Sequence, residues 1–210
     1  RRGRLMHELP EAGAMLAVRL PQDEAEALAD QHGLSLAAVN SSADAVLAGS
    51  EDTVERLAAL LEGRGVSARR LHVSHAFHSA LMEPMLAPFA EVTGDIALGD
   101  PRLEVFSTVT GAALRQAPGA DYWGTQARRT VRYAEALARA FEAGFDTFVE
   151  IGPRPVLTML SQREAQHHDL TGALFLASAA PDDGGGLMLR RSLAALYRRG
   201  VDVNRAAVFR

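Results

Sequence analysis

The sequence predicts an α/β chain, on three observations. Residues 13–73 follow a strand, helix, strand, strand, helix, strand rhythm. After residue 79, short apolar strands alternate with amphipathic helices. The composition is globular, 48% hydrophobic and 23% charged, in a chain of 210 residues that can fill one sizeable core or two small ones.

Taking the elements in order, residues 13–20 are apolar and strand-like. Pro21 with Asp23 and Glu24 opens a helix, because proline fits the first turn and acids complement the dipole there; Gly33 is its expected stop. Residues 34–39 and 45–48 read as strands around a turn cluster at 40–44. Ser50 is placed to cap a helix whose Val54, Leu57 and Leu61 recur at helical spacing, ending near Gly63 and Gly65. Residues 66–73 return to strand, completing the order of a ferredoxin-like or split βαβ unit. Beyond it we expect helices at 79–91, 121–128, 133–143, 156–163 and 187–199, and strands at 103–110, 145–151 and 174–177. That alternation predicts a parallel sheet covered by helices, with a flexible break at Asp182-Asp183-Gly184-Gly185-Gly186.

The bulk properties exclude several function classes. A net charge of −4 gives no reason to expect nucleic acid as the main partner. The absence of cysteine removes disulfides, zinc-thiolate sites and cysteine nucleophiles. No apolar run approaches membrane-spanning length and no signal peptide opens the chain, so a cytoplasmic protein without a membrane partner is expected. The opening Arg1-Arg2-Gly3-Arg4-Leu5-Met6 reads as the middle of a helix, which is expected either of a piece of a longer chain or of a tag scar.

The densest chemistry lies at His72, Ser74, His75, Phe77, His78 and Ser79, just past a strand. Three histidines spaced by three invite a metal reading. On a strand, however, His75 points opposite to His72 and His78, on a helix His72 and His78 diverge, and no acidic ligand is near in sequence. No metal is therefore expected. Two readings remain open: satisfied structural histidines, or a general base at a strand end. A base needs a nucleophile, and the strained Gly-x-Ser-x-Gly turn is absent. Gly33-Leu34-Ser35-Leu36-Ala37 comes nearest, but Ser35 falls inside a predicted strand, and Ser79 adjoins His78 too closely for attack by that pair.

Val73-Ser74-His75-Ala76-Phe77-His78-Ser79-Ala80-Leu81-Met82 resembles the signature segment of acyltransferase domains in type I polyketide synthases, the malonyl-CoA:acyl carrier protein transacylase family. Other segments resemble the same family in order along the chain: Arg2-Gly3-Arg4-Leu5-Met6, Gly13-Ala14-Met15, Ala38-Val39-Asn40-Ser41, Val46-Leu47-Ala48-Gly49, Asp121-Tyr122-Trp123 and Glu150-Ile151-Gly152-Pro153-Arg154-Pro155-Val156-Leu157. Leu193-Ala194-Ala195-Leu196-Tyr197, Gly200-Val201-Asp202-Val203 and Ala207-Val208-Phe209 resemble the linker that follows such domains. Ser42 stands where the family usually has proline.

The resemblance implies an α/β-hydrolase-like large subdomain interrupted by a ferredoxin-like small one. Residues 1–11 and 72–178 would belong to the large subdomain, 12–71 to the small one and 179–210 to the linker, with the N-terminal part and its catalytic serine lying outside the chain. It also implies a ping-pong reaction: a serine activated by histidine takes malonyl from malonyl-CoA and passes it to the thiol of an acyl carrier protein. His78 matches the base, and Arg2 the arginine that pairs with the malonyl carboxylate, a task suited to a planar guanidinium. His75 and Phe77 match substrate-pocket positions of the malonyl type, Asn40 a position near the active-site mouth, and Gln126 one whose backbone carbonyl orients the histidine. A coenzyme A thioester is implied as substrate, with no bound cofactor. Implied partners are the carrier protein, the N-terminal remainder of the domain and an adjacent ketosynthase. Two alternatives stay open: a methylmalonyl-type domain, and a catalytically silent module that docks carrier protein. Arg64, Arg69 and Arg70 suit an acidic carrier or simply a solvated face, and His167-His168-Asp169 reads as a solvated loop.

Overall fold

A computed structural model describes residues 1–119, 121–184, 186–204 and 206, so Gly185 of the glycine-rich break and the linker motif Ala207-Val208-Phe209 lie outside the described residues. The chain divides into two compact units, residues 1–142 and 143–210.

The first unit opens with α1 (Arg2–His7), then β1 (Ala14–Val18), α2 (Gln22–His32), β2 (Ser35–Ser41), β3 (Asp44–Gly49), α3 (Glu51–Gly63) and β4 (Ala68–Arg70). The expected βαββαβ order is present, and the strands pair antiparallel in the spatial order β4-β1-β3-β2. Ser50 caps α3 by accepting the Thr53 N–H at 3.4 Å, and Gly33 closes α2 in the left-handed region at φ 66°. The asparagine-serine cluster forms a tighter turn than expected: β2 runs through Asn40 to Ser41, whose hydroxyl donates to Asp44 Oδ2 at 2.7 Å across a two-residue turn.

Side-chain alternation explains how this sheet is covered. Leu16, Val18, Ala45 and Leu47 project to one face, where Ala25 and Ala29 of α2 and Val54, Leu57 and Leu61 of α3 meet them. Leu16, Leu47 and Leu57 are fully buried, each worth about 1.5–3 kcal/mol of transfer free energy. Met15, Ala37, Ala38, Val46 and Ala48 project to the other face and pack on Ala76, with Phe77, Leu81 and Val131 against them. The histidine-rich segment is therefore the lid of the sheet's second face. Gly13 permits this approach, since a Cβ there would fall 2.7 Å from Ala76 Cβ and 2.8 Å from its backbone nitrogen.

Past β4 the structure departs from simple alternation. The strand expected over 66–73 shrinks to Ala68–Arg70, because only Leu16–Val18 of β1 stands opposite to pair with it. The helix expected over 79–91 is a 3₁₀ helix (Ala80–Met85) followed by α4 (Leu86–Gly94); Pro84 lacks the N–H that a continuous α-helix would need. The strand expected over 103–110 is β5 (Val105–Ser107), which turns through Gly111 at φ 68° into an antiparallel partner, β6 (Ala112–Leu114). It is thus a hairpin strand and not part of a parallel sheet. After α5 (Tyr122–Arg128), β7 (Val131–Arg132) adds to β2 as a parallel fifth strand, with Ala38 opposite Val131 and Val39 opposite Arg132. The unit ends with α6 (Tyr133–Glu142), whose Leu137 and Phe141 are buried as its periodicity predicts.

The second unit holds β8 (Thr147–Glu150), α7 (Val156–His167), β9 (Leu174–Ala177) and α8 (Leu187–Arg198). β8 and β9 pair in parallel, with Phe148 stacked on Phe175 at 5.2 Å between centroids. Glu150 closes the Gly152-Pro153-Arg154-Pro155 loop: its carboxylate accepts from the N–H groups of Val156 (3.1 Å), Leu157 (3.0 Å) and Thr158 (2.7 Å) and from the Thr158 hydroxyl (2.8 Å). Burial pulls this carboxyl's pKa up, but those donors outweigh it and hold it below the usual carboxylate range. Among the described residues, no helix is long and apolar enough to cross a membrane.

Candidate functional site

The site grows from the segment between β4 and the 3₁₀ helix, all of it within the first unit. Ala76 is fully buried against the sheet and Ser79 is 1% exposed. The Ser79 hydroxyl donates to the Ala76 carbonyl at 2.6 Å and accepts the Leu81 N–H at 3.2 Å. These two bonds tie the chain shut around Phe77 and His78. His78 is held in the left-handed region at φ 59°, a conformation that costs a residue with a Cβ on the order of 1–3 kcal/mol. Such strain persists only where the surroundings over-determine it, and here it presents the imidazole on a turn between two anchored neighbours.

The ring of His78 meets the end of α5. Its Nδ1 lies 3.1 Å from the Arg129 carbonyl oxygen. A carbonyl only accepts, so Nδ1 carries the proton and the lone pair resides on Nε2. Burial lowers the ring's pKa below its ordinary 6.5. The Arg129 carbonyl opposes this, the Arg2 guanidinium reinforces it, and the Gln126 carbonyl opposes it more weakly. A neutral imidazole with a free Nε2 at neutral pH is the form a general base requires.

Arg129 delivers its carbonyl because α5 ends there. Its N–H still closes the helix on Thr125 at 2.8 Å, but its backbone is extended, at φ −89° and ψ 163°, so the carbonyl turns away from the helix axis. Thr130 then anchors to the Leu36 carbonyl at 2.7 Å, and β7 begins.

Of the residues singled out in the sequence, Arg2, His78 and Gln126 come together. Arg2 is half-buried on α1, whose Leu5 and Met6 pack with Met82, Met85 and Phe89. Gln126 contributes its backbone, yet the carbonyl in direct hydrogen-bond contact with His78 belongs to Arg129, three residues later. His75 is 8% exposed, shares a 2.8 Å hydrogen bond between its Nδ1 and the Ser74 hydroxyl, and lies 6.2 Å from the Phe77 ring. Phe77 bridges two apolar clusters, one against the sheet and one around Met82 and Phe89. Asn40 is on β2, one residue past the Val39–Arg132 pairing, a strand residue instead of a turn residue. Arg70, Leu71, His72, Val73, Ser74 and Phe77 line an open hollow of about 700 Å³.

Other singled-out residues go elsewhere. Arg70 pairs with Glu55 at 2.7 Å and with Glu51, so it is neutralised on the surface of α3. His168 meets Glu164 at 3.3 Å near the end of α7. Ser35 starts β2, far in φ/ψ character from a nucleophile turn. Among the described residues, no group of three or more His, Cys, Asp or Glu side chains gathers to hold a metal ion.

The fold and this histidine define an α/β protein with a polarised imidazole presented beside an arginine. The family model for the acyl transferase domain matches residues 1–203, and the chain belongs to that family, as found in type I polyketide synthases. It is 37% identical over 212 residues to polyketide synthase GfsA of Streptomyces halstedii, covering 99% of this chain and 3% of that protein. It is 36% identical over 208 residues to mycoketide-CoA synthase of Mycobacterium tuberculosis, covering 99% of this chain and 5% of that one. The crystal structure of the acyltransferase domain from the second module of the salinomycin polyketide synthase superposes with a TM-score of 0.90 at 39% identity, covering 99% of this chain and 49% of that domain. The chain thus spans about half the length of that solved domain and a small part of the synthases.

Proposed function

We propose that this chain is the part of a malonyl-selective acyltransferase domain that supplies the base and the carboxylate-binding arginine. In this reading a serine outside these 210 residues is the nucleophile, since no Gly-x-Ser-x-Gly turn occurs within them. His78 Nε2 takes the serine proton as the serine oxygen attacks the malonyl thioester carbonyl; coenzyme A leaves as its thiol, carrying that proton away. The carrier-protein thiol then attacks the serine ester with His78 again accepting the proton, and the serine is regenerated. Arg2 binds the free carboxylate of the malonyl group. Phe77, beside His75, fills the space a methyl branch at C2 would need. The hollow beside Phe77 offers room for the thioester's pantetheine arm.

The observation that carries this reading is the His78 imidazole, with Nδ1 on the Arg129 carbonyl and its charge state coupled to Arg2. In the same proposal, residues 12–71 are a ferredoxin-like insertion in an α/β-hydrolase-like subdomain made of 1–11, 72–178 and an N-terminal segment, with 179–210 as linker; the protein works in the cytoplasm beside a ketosynthase and an acyl carrier protein. The absent nucleophile turn equally suits a silent docking module.

The test uses the domain completed by its N-terminal segment, with malonyl-CoA and methylmalonyl-CoA in competition and the acyl-enzyme followed by intact mass. Malonyl should be preferred by about 10–200-fold. His78→Ala should slow acylation by about 10²–10⁴-fold, with His75→Ala far milder. Arg2→Ala should lose malonyl yet keep acetyl transfer, because a buried carboxylate without its partner is costly and a neutral acyl group needs none. A completed domain that forms no acyl-enzyme would leave the docking module; a preference for methylmalonyl would replace the substrate.

A further inference from the structure

We propose that the ion pair between Arg128 and Glu83 is a positioning device for His78, holding the end of α5 so that the Arg129 carbonyl stays on Nδ1. The proposal rests on the reading of His78 as the base and adds two residues that act on it without touching substrate.

The geometry is a short mechanical loop. His78 precedes the 3₁₀ helix that carries Glu83, and Arg128 directly precedes Arg129, whose carbonyl receives the ring. Arg128 Nε lies 3.0 Å from Glu83 Oε1, so the segment bearing the base and the segment bearing its acceptor are joined by a charged bond a few residues from their point of contact. The Arg128 side chain is 25% exposed and that of Glu83 60%; among the described ion pairs of the first unit, Arg128 is the most sheltered arginine.

The end of α5 needs such a restraint. It is a seven-residue helix with no side-chain cap at its N-terminus. Ala127 is buried among Met82, Met85 and Phe89, which fixes one side of its last turn. Beside it lies an open hollow of about 530 Å³, lined by Glu83, Leu86, Gly124, Thr125, Arg128 and Arg129. Arg129 is tied along the backbone by its own N–H on Thr125 and by Thr130 on the Leu36 carbonyl, and the ion pair adds a side-chain link across the hollow. An Nδ1–H···O=C bond is directional, so a small drift of the carbonyl frees the ring to rotate and to exchange tautomers. Of the charged groups on the neighbouring elements, Arg2 on α1 acts on the His78 ring as a charge, Arg129 acts through its backbone carbonyl, and Glu83 on the 3₁₀ helix and Arg128 at the end of α5 pair with each other.

The experiment compares Arg128→Gln, Glu83→Gln and the swapped pair Arg128→Glu/Glu83→Arg in the completed domain. It reads kcat and KM for self-acylation, the pH profile of kcat/KM, and the tautomer and pKa of His78 by ¹⁵N NMR of the ring. Each single variant should lower kcat by about 10- to 100-fold with KM little changed, the scale of a misplaced reacting group. The acid limb should move to lower pH, because the Arg129 carbonyl is the contact that raises the ring's pKa most. Arg128→Gln is diagnostic: loss of a positive charge acting through space would move the limb to higher pH. The swapped pair should restore rate, limb and Nδ1-protonated tautomer. Unchanged rate, pH profile and tautomer in both singles would overturn the proposal, as would a folded swapped pair that restores none of them. A wild-type domain that never acylates sinks the transferase reading alone, since tautomer and pKa are read without turnover.

Discussion

The mainly antiparallel sheet of the first unit and the parallel pair of the second bury their strands to very different degrees. In β1 and β3, Leu16, Leu47, Ala14 and Ala48 are fully buried, and both faces are covered by elements of the same unit. Around β8, Val149 is 40% exposed, Phe145 43% and Ile151 83%. Antiparallel βαββαβ units supply their own helices for one face, and here the chain folds back through Ala76 and Phe77 to close the other. Parallel strands are ordinarily buried on both faces with neighbours on both edges, and two strands alone cannot achieve that. The first region is a finished core. The second has the sequence of a central strand without the surroundings of one, which supports the proposal that an N-terminal segment completes it.

Core truncation probes this contrast with the largest effect. Leu47→Ala should cost about 2–5 kcal/mol by urea unfolding, with lost hydrogen-exchange protection concentrated in β1, β2 and β3. Equal loss of protection in β8 and β9 would show that the two regions unfold together and erase the distinction.

Glu150→Gln should cost about 1 kcal/mol at neutral pH, since it removes the charge that caps α7 while keeping one acceptor oxygen. The folded-state pKa of Glu150 is depressed, so its contribution is fully present above the unfolded carboxyl's pKa and disappears as pH falls through the folded one. The difference between wild type and variant, followed by denaturation from pH 7 down to acid, should therefore shrink. A difference that stays flat with pH would mean that the carboxylate's charge is not what closes the loop.

Ile151→Ser should change the stability of the 210-residue chain least, by no more than about 0.5 kcal/mol, because the side chain is already in water. Its cost should rise to that of a core substitution once the N-terminal segment is added. Equal, small costs in both settings would mean that Ile151 faces solvent in the completed domain and that β8 lies at a true sheet edge.

Much of the local structure was legible because local chemistry dictates it. The cap at Ser50, the buried stripe Val54, Leu57 and Leu61, the stop at Gly33 and the apolar face of α6 all follow from spacing and from φ preferences. His78 was legible as a candidate because its segment is dense in histidine and serine and matches a family signature. Elements made by long-range pairing were not. β7 has two residues and exists only because β2 offers an open edge, far earlier in the chain; by contrast β5 was read within 103–110, and only its three-residue hairpin partner β6 was too short to read. Arg129 acts through its backbone carbonyl, which every residue possesses, so its side chain gave no signal; the only hint was a short helix ending before the β-branched pair Thr130-Val131.

By itself, then, the sequence determined what depends on neighbours along the chain: the helices with their caps, the alternating strands, the absence of thiol chemistry and of a nucleophile turn, and the segment in which the base would be found. Only the tertiary structure decided what depends on residues far apart in the chain. It laid Ala76 on the second face of the sheet against Gly13, put the Arg129 carbonyl on a ring 51 positions away, and buried that ring so that its pKa falls, with Arg2 near enough to add to the effect. Directional bonds and charges act through space, and their partners are chosen when the chain closes on itself.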